Sequence, residues 1–169
     1  MSDTDSIPEP TRGDSTSGLE HATTMARIIT ILKKIPVFAG LTDEEYEFLI
    51  NVCHVTQCPE GELLFEEGAP GHDLFLLLAG SVEISTSKAG TIHTLKPGEL
   101  VGEIALVCRV NRTATAVAVQ ESALLKLSRA ELDLLLGRAP RASYLIMKNI
   151  AETLGARLMG ADARLAGTT

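Results

Sequence analysis

Aromatic residues and long apolar runs are scarce in this sequence. Aromatic side chains make up 4% of the 169 residues and tryptophan is absent, so a folded core has to consist of aliphatic side chains. No apolar run approaches the roughly 20 residues that a helix needs to cross a bilayer. The first residues are polar and acidic, unlike a secretory signal peptide. We therefore expect a globular, cytoplasmic protein that is not inserted in a membrane.

Positive charge is also scarce. The chain holds 15 lysines and arginines against 22 aspartates and glutamates, which gives a formal net charge of −7. A protein that binds the nucleic-acid backbone needs an excess of positive charge on at least one face. The mildly basic segment near the C-terminus fits a solvated helix face better. We expect no nucleic-acid partner.

The first part of the chain changes character once before its middle. Residues 1–22 are rich in Ser, Thr, Pro, Gly and Asp and show no apolar periodicity, which predicts a disordered acidic tail. Apolar residues then recur at helical spacing, and Thr42 begins a capping-box pattern that includes Glu45. These signals predict N-terminal helices over residues 23–54.

A second helical region is predicted near the end of the chain. Ser128 and Glu131 form another capping-box pattern, and Pro140 suits the first turn of a further helix. The apolar residues after this proline fall on one helical stripe, and glycines follow the stripe. We predict C-terminal helices over residues 128–160 and a frayed tail over residues 161–169.

Between these helical regions, residues 55–127 alternate short apolar runs with turns that carry glycine or proline. Some runs also alternate between apolar and polar residues, as strands with one buried face do. Regularly spaced short strands with turn signals predict a β-sandwich or a β-barrel. The predicted strands are Leu63–Phe65, Leu74–Leu78, Val82–Ser85, Thr91–Leu95, Thr113–Val119 and Leu124–Leu127.

The sequence lacks what a metal site in such a barrel would need. A cupin-type metalloenzyme holds its metal with clustered ligands, such as His-x-His with a glutamate. The four histidines are scattered, and the three cysteines contain no CxxC pair. We expect no metal, no cofactor and no catalytic residue, and the metalloenzyme is the less favoured alternative.

Residues 97–118 carry the pattern that bears on chemistry. Gly102 permits the backbone to approach a ligand closely, and the residues from Glu103 to Leu106 can form one helical turn. The free N–H groups at the start of a helical turn attract an anion. Arg112 lies nine residues beyond Glu103, so a short loop can bring its guanidinium to the same N–H groups. A guanidinium together with such N–H groups matches a phosphate.

Glu103 has two interpretations beside such a phosphate. A carboxylate repels phosphate, but it can accept a hydrogen bond from a nearby neutral donor, and a ribose 2′-hydroxyl fits that requirement. One arginine without an acidic metal cluster suits a singly charged cyclic phosphodiester better than a triphosphate with Mg²⁺. The other interpretation is an ion pair between Glu103 and Arg112 on a surface loop, since such pairs are common. The residues alone favour neither interpretation.

The segment resembles the phosphate-binding cassette of the cyclic nucleotide-binding domain family. In that family a glycine and a glutamate precede an apolar stretch, and an arginine follows after a short loop. The resemblance covers about residues 24 to 160 and implies the family's α+β fold, an antiparallel β-roll or jelly roll (a double-stranded β-helix) with flanking N- and C-terminal helices. The matching segments are Pro36–Leu41, Gly61–Gly68, Leu74–Val82, Val101–Leu106 and Arg112–Thr115.

The resemblance also implies a role for individual residues. Arg112 pairs with the cyclic phosphate, and Glu103 accepts a hydrogen bond from the ribose 2′-hydroxyl. Backbone N–H groups near Ile104 and Ala105 assist at the phosphate. The other residues implied at the ligand, some of which also fit a plain core, are Ile84, Ile92, Leu95, Val101 and Gly102.

Two further residues bear on the identity of the nucleotide. Thr113 follows the phosphate-binding arginine. In the family, a threonine here can bind the guanine amino group and favour cGMP, although cAMP-responsive relatives carry it too. Arg157 falls near the turn of the C-terminal helix that closes over the base, where it either contacts the purine or stays exposed. The analogy with bacterial single-domain relatives places cAMP ahead of cGMP.

The resemblance implies a cyclic-nucleotide sensor rather than an enzyme. Ligand binding would rearrange the C-terminal helices and change a surface that an effector protein recognises. A homodimer through the last helix is a further expectation. About ten residues follow that helix, too few for a helix-turn-helix domain. The alternative is an interaction module of the same fold that has lost ligand binding.

Overall fold

The computed structural model describes the backbone from Ser15 to Ala166 and the side chains from Thr23 to Met159. No helix in this part of the chain is long and apolar enough to cross a membrane. The helices are α1 (Ser15–Leu32), α2 (Asp43–Val52), α3 (Glu103–Cys108), α4 (Arg129–Arg138) and α5 (Pro140–Ala166), with a 3₁₀ turn at Pro36–Phe38. The strands are β1 (His54–Cys58), β2 (Leu63–Phe65), β3 (Asp73–Ala79), β4 (Val82–Thr86), β5 (Gly90–Leu95), β6 (Leu100–Val101), β7 (Thr115–Ala118) and β8 (Ser122–Ser128).

The strands form two antiparallel four-stranded sheets. Their orders are β1-β8-β3-β6 and β2-β7-β4-β5, so neighbours in space are mostly distant in the chain. Apolar side chains of both sheets pack into one core between them. This architecture confirms the expected α+β class, an antiparallel jelly roll with flanking helices.

Strand β3 is buried on both of its faces. Leu74 and Leu76 pack with the flanking helices, whereas Phe75 and Leu77 belong to the core between the sheets. A strand buried on both faces has a continuous apolar sequence rather than an alternating one. This explains why the sequence of β3 is a continuous apolar run and lacks the alternation of a strand with one buried face.

Two strands were not predicted from the sequence, and one predicted strand is shorter. Four of the five residues of β1 are exposed, so the strand has no apolar pattern to recognise. Strand β6 has only two residues, Leu100 and Val101, which is too short for any periodicity. Strand β7 begins at Thr115 rather than Thr113, because Arg112 and its neighbours belong to the loop before it.

The first helix begins earlier than predicted. Helix α1 starts at Ser15, within the disordered tail expected over residues 1–22. Its C-terminal half is anchored because Ile28 and Leu32 are buried against α2 and the sheet. Adding residues to an existing helix is much easier than nucleating one, so polar residues can continue it. Residues 1–14 of the expected tail lie outside the described residues.

Both predicted capping boxes are present. In the first, the hydroxyl of Thr42 accepts a hydrogen bond from the Glu45 amide at 3.3 Å, and the Thr42 amide donates to the Glu45 carboxylate at 2.8 Å. Ser128 and Glu131 form the same reciprocal pair. Each pair satisfies two N–H groups that a helix start leaves without partners. The boxes therefore fix where α2 and α4 begin.

The last helix ends later than predicted. Helix α5 continues through Gly160 to Ala166, whereas fraying was expected from residue 161. A glycine inside a helix costs about 1 kcal/mol relative to alanine, which weakens the helix without ending it. Residues 167–169 lie outside the described residues.

The first half of α5 is anchored to the rest of the domain. Ile146 and Ile150 are fully buried in the core that the helices share with the first sheet. The side-chain amide of Asn149 donates to the carbonyls of Val37 and Ala39 at 3.1 Å each, at the 3₁₀ turn. The position of α5 therefore depends on its first half, whereas most residues from Ala151 to Met159 are exposed.

Two adjacent leucines in α4 test this packing. Leu135 is 0% exposed, whereas Leu136 is 56% exposed. We expect Leu135→Ala to lower the free energy of unfolding by about 2–5 kcal/mol because it leaves a cavity in the core. Leu136→Ala is the matched control and should change it by no more than about 0.5 kcal/mol. Urea unfolding followed by circular dichroism measures both, and equal effects would contradict the described orientation of α4.

Candidate functional site

A cavity of about 460 Å³ lies between strands β4 and β5, the segment from β6 to α3, and α5. This volume is within the range of about 300–1,000 Å³ that small-molecule sites occupy. The structure brings all of the sequence-predicted site residues to its wall, although they come from five separate elements and loops. They are Ile84, Ile92, Leu95, Val101, Gly102, Glu103, Ile104, Ala105, Arg112, Thr113 and Arg157.

Gly102 makes a close approach that other residues would block. Its φ of +90° lies in the left-handed region, and it caps the start of the short helix α3. A Cβ atom built on Gly102 would lie 2.5 Å from Nη1 of Arg112 and 2.5 Å from the carbonyl oxygen of Asp73. Both the backbone conformation and the space therefore require glycine here.

Arg112 is a buried cation with incomplete compensation. The residue is 5% exposed, and its Nη1 donates to the carbonyl of Asp73 at 2.7 Å. Within the described part of the chain, its Nε has no hydrogen-bond partner. Burial lowers the pKa of this guanidinium from its ordinary value, and the negative charge of Asp73 opposes the shift. Because arginine nevertheless stays protonated in proteins, the site holds a buried positive charge with an unsatisfied donor.

The backbone of Arg112 is fixed by the loop between β2 and β3. Its N–H donates to the carbonyl of Ala69 at 2.9 Å, and its own carbonyl accepts from the amide of Gly68 at 2.8 Å. These bonds hold the end of the cassette loop against the preceding strands. The side chain of Arg112 therefore extends from a backbone segment that is held in place by hydrogen bonds.

Two aromatic rings and one glycine surround the guanidinium. Its central carbon, Cζ of Arg112, lies 4.2 Å from the ring centroid of Phe65 and 5.8 Å from that of Phe75. A cation over an aromatic face is attracted by the electron density of the ring. On Gly71, a Cβ atom would lie 2.5 Å from Nε of the guanidinium. The guanidinium therefore has little freedom to move.

The ion pair that the residues left open, between Glu103 and Arg112, is not the one present. Glu103 Oε1 instead accepts a hydrogen bond from Nη1 of Arg157, which comes from the second half of α5. The side chain of Glu103 is 8% exposed and that of Arg157 is 56% exposed. The carboxylate is thus fixed in the wall of the cavity, and its counter-charge reaches in from solvent.

Helix α3 is also connected to α4. Nη1 of Arg129, the first residue of α4, donates to the carbonyl of Leu106 at 2.9 Å. Carbonyls in the last turn of a helix have no partner within the helix, so this bond satisfies one of them. The C-terminal helices therefore contact α3 at both of its ends, through Arg157 at its start and Arg129 near its end.

A polar group stands at the mouth of the cavity. Nε2 of His93 lies 3.0 Å from Oε2 of Glu99, which also accepts from the amide of Lys96 at 2.8 Å. Burial alone would raise the pKa of the Glu99 carboxyl, but the Lys96 amide and the His93 ring together hold it below its ordinary value. The sequence analysis did not single out Glu99, and its exposed turn position gives no signal.

The apolar residues predicted at the ligand divide into two groups. Ile84 and Leu95 are buried and form the inner wall. Ile92 is 54% exposed and Thr113 is also exposed, so both lie at the rim. A ligand that covers this exposed isoleucine would bury its apolar surface, which favours binding.

Comparison with known proteins identifies the family of the domain that contains this cavity. Residues 55–139 match the family model described as the cyclic nucleotide-binding domain. The chain belongs to this family. The match includes β1 to α4 and therefore the whole segment from Gly102 to Thr113. The family consists of regulatory ligand-binding domains, and the resemblance of the sequence to it is confirmed.

Individual relatives agree with this assignment. The chain is 35% identical over 138 residues to the "Cyclic AMP receptor protein" of Thermus thermophilus, covering 79% of this chain and 62% of the receptor. It is 33% identical over 89 residues to the "cGMP-dependent protein kinase" of Plasmodium berghei, covering 53% of this chain and 10% of the kinase. The chain therefore spans less than two thirds of these curated relatives.

A solved structure covers more of the fold. A cyclic nucleotide-binding domain from Methylobacillus flagellatus has a TM-score of 0.73 at 26% identity, over 87% of this chain and 85% of that one. The likeness thus extends beyond the family match into the flanking helices.

The cupin-type alternative finds no support among the described side chains. No three histidine, cysteine, aspartate or glutamate residues in that part of the chain lie close enough together to hold a metal ion. The acidic residues near the cavity, Glu99 and Glu103, are held by nearby donors of the chain itself.

Sequence reasoning missed Phe65, Phe75 and Gly71. The two phenylalanines occupy strand positions where a core residue is expected, and the glycine belongs to a turn. Nothing in the sequence states that an arginine far along the chain lies against them. Only the pairing of distant strands brings these residues together.

Gly71 provides a test of the guanidinium's position. Its φ is not in the left-handed region, so Gly71→Ala brings a steric change without backbone strain. The added methyl group would displace Arg112, and we expect about tenfold weaker binding of the cyclic nucleotide that the intact chain binds. Gly137→Ala is the control, because nothing lies within 4 Å of its added Cβ. Calorimetric titration with cAMP and cGMP measures the effect, and equal affinity of both variants would contradict the described packing.

Proposed function

We propose that this chain is a non-enzymatic regulatory protein that binds a 3′,5′-cyclic nucleotide, with cAMP preferred over cGMP. One observation carries the proposal: Arg112 is a buried cation whose Nε has no partner among the described residues. Burying such a charged group is energetically unfavourable unless an anion balances its charge and accepts its free hydrogen bond. Its place beside the cavity makes an external ligand the natural source of that anion.

The charge of the site suits a phosphodiester. One buried guanidinium can balance one negative charge, and its planar donors match two oxygens of a phosphate. No cluster of acidic side chains that would hold Mg²⁺ exists among the described residues, as a triphosphate would require. The N–H groups at Ile104 and Ala105 line the same cavity and can share in binding the phosphate.

The remaining wall suits a sugar and a base. The carboxylate of Glu103 is an acceptor for the ribose 2′-hydroxyl. Ile84, Leu95 and Val101 supply apolar surface on which a purine can lie. Small-molecule sites commonly combine an apolar wall with a few placed polar groups of this kind.

Two considerations bear on the choice of nucleotide. A relative with 35% identity is a "Cyclic AMP receptor protein", which supports cAMP. Thr113 lines the cavity at its rim, where a threonine in this family can contact a guanine amino group, and one relative is a "cGMP-dependent protein kinase". The longer and more identical match favours cAMP, and cytoplasmic location is part of the same proposal.

The C-terminal helices are the proposed output. Arg129 of α4 and Arg157 of α5 both contact α3, the helix beside which the phosphate would bind. A ligand that binds there more tightly in one arrangement of these helices shifts the population toward that arrangement. An effector protein that recognises the surface of α4 and α5 would bind one of these arrangements in preference to the other, and so would respond to the change in population.

Titration of Arg112→Ala tests the function directly. The intact chain should bind cAMP, and more weakly cGMP, in calorimetry. Arg112→Ala should lose about 2–3 kcal/mol of binding free energy, because it removes a charged hydrogen-bond partner. Arg109→Ala is a matched control in the same loop, since Arg109 is exposed and has the same charge. Absence of binding of both nucleotides to the intact chain would overturn the proposal.

One observation favours the alternative of a ligand-free interaction module. Glu103 already has a partner within the chain, so its carboxylate is satisfied without a ligand. The unsatisfied Nε of Arg112 weighs against this alternative. The same titration distinguishes a nucleotide-binding regulator from a ligand-free module, since the module would bind neither nucleotide.

A homodimer through α5 is a further part of the proposal. Tyr144, Ala151 and Leu158 recur every seven residues on the exposed side of α5, and Tyr144 and Leu158 are each 64% exposed. A spacing of seven residues repeats one of the two apolar positions of a coiled-coil heptad. A second copy of the chain, which presents the same stripe, is the occupant that this pattern fits.

Leu158→Lys tests the dimer. Sedimentation of the intact chain should give a dimer at high concentration, and Leu158→Lys should give a monomer, because two buried lysines would face each other. Glu152→Lys makes a charge change on the same helix but outside the stripe, and it should remain dimeric. If the intact chain is monomeric at its highest soluble concentration, the proposed homodimer is wrong.

A further inference from the structure

The hairpin of β4 and β5 forms one wall of the cavity, to which it contributes Ile84, Ile92 and His93. Strand β5 is the last strand of its sheet, so the ladder holds it on one side. The register of the hairpin shifts after Ile84, which leaves Ile92 as an extra residue on β5. A β-bulge of this kind interrupts the ladder and bends the strand. The position of Ile92 therefore depends on what holds the hairpin tip beyond the bulge.

The carboxylate of Glu67 holds that tip. The amide of Ser87, just beyond the end of β4, donates to Oε2 of Glu67 at 2.6 Å. An N–H bond to a carboxylate is stronger than a bond between neutral groups. The space between the tip and the loop before β3 is a recess of about 360 Å³, so close packing contributes little there. The recess is lined by Glu66, Glu67, Ser85, Thr86, Ser87 and Thr115.

The backbone of Glu67 belongs to the loop that fixes Arg112. Its amide donates to Oγ1 of Thr115 at 3.0 Å, at the start of β7. The amide of the next residue, Gly68, donates to the carbonyl of Arg112 at 2.8 Å. Glu67 therefore connects two walls of the cavity: its side chain holds the hairpin, and its backbone continues into the loop that holds the arginine.

We propose that Glu67 is a positioning residue for the nucleotide base: its carboxylate holds the hairpin so that Ile92 covers a base whose phosphate is bound at Arg112. This inference rests on the proposed function and adds to it a residue outside the cavity wall. Without the hydrogen bond to Ser87, the hairpin occupies the binding position in only a fraction of the molecules. The apparent affinity for a ligand that needs this wall falls by that fraction.

Three substitutions test this role by calorimetric titration with cAMP. Glu67→Ala should weaken binding about fivefold to tenfold, because it removes a charged acceptor from the hairpin tip. Glu67→Gln should retain most of the affinity, since its side-chain carbonyl can accept the same hydrogen bond. Glu66→Ala is the matched control and should bind as the intact chain does. Glu66 is the exposed neighbour of the same charge and lines the same recess.

A ligand without a base separates positioning from a general loss of structure. Ribose 3′,5′-cyclic phosphate can contact Arg112 and Glu103 but presents no base to Ile92. Glu67→Ala keeps the backbone hydrogen bonds of its loop, so its affinity for this fragment should stay within about twofold of the intact chain. Competition of the fragment with cAMP measures this affinity. A substitution that disturbed the loop itself would weaken both ligands equally.

The results that would overturn the inference are distinct from those that would overturn the function. The inference is wrong if Glu67→Ala binds cAMP as tightly as the intact chain, or if it weakens cAMP and the fragment by the same factor. It is also wrong if Glu67→Gln binds as poorly as Glu67→Ala. In these cases the intact chain still binds cAMP, so the proposed function survives. If the intact chain binds neither cAMP nor cGMP, the function and this inference fail together.

Discussion

The buried guanidinium of Arg112 constrains most of what surrounds it. Its supports come from both sheets: the ring of Phe65 belongs to β2, and the ring of Phe75 and the carbonyl of Asp73 belong to β3. A charge that is 5% exposed needs such support, since transfer from water is unfavourable. Among the described residues, one of its donors nevertheless has no partner. The two sheets therefore hold a buried cation with one free donor, which an anion from outside would satisfy under the proposed function.

Strand β3 links this site to the helical side of the molecule. Its side chains alternate between the roll core, where Phe75 and Leu77 lie, and the core shared with the helices, where Leu74 and Leu76 lie. Because both cores are closely packed, a displacement of the strand would be felt on both sides. The strand that supports the guanidinium thus also belongs to the same buried core as Ile146 of α5.

The sequence predicted the parts of the site that are local in the chain. Gly102, Glu103 and Arg112 lie within a short segment whose spacing bears directly on the chemistry. The partner of Glu103 is 54 residues away, and no local pattern distinguishes Arg157 from an exposed helical arginine. Likewise, turns and short runs predicted a β-sandwich or a β-barrel, and the resemblance to the family implied the jelly roll. Strand β1 was missed because it is exposed. The ends of α1 and α5 were misplaced because an anchored helix continues through residues that would not begin one.

The arrangement of charges explains why the last helix is suited to respond to a ligand. Along the cavity wall the order is cation, anion, cation, from Arg112 through Glu103 to Arg157, and a phosphate adds an anion at the first position. Every charge then has a neighbour of opposite sign, and the last charge belongs to α5. The first half of that helix is fixed by Ile146 and Asn149, so under the proposed function a change at Arg157 would act mainly on the second half. Since a helix rises about 1.5 Å per residue, the nine residues from there to Ala166 would extend the effect by about 14 Å. A local change of charge balance would thereby be presented well outside the pocket.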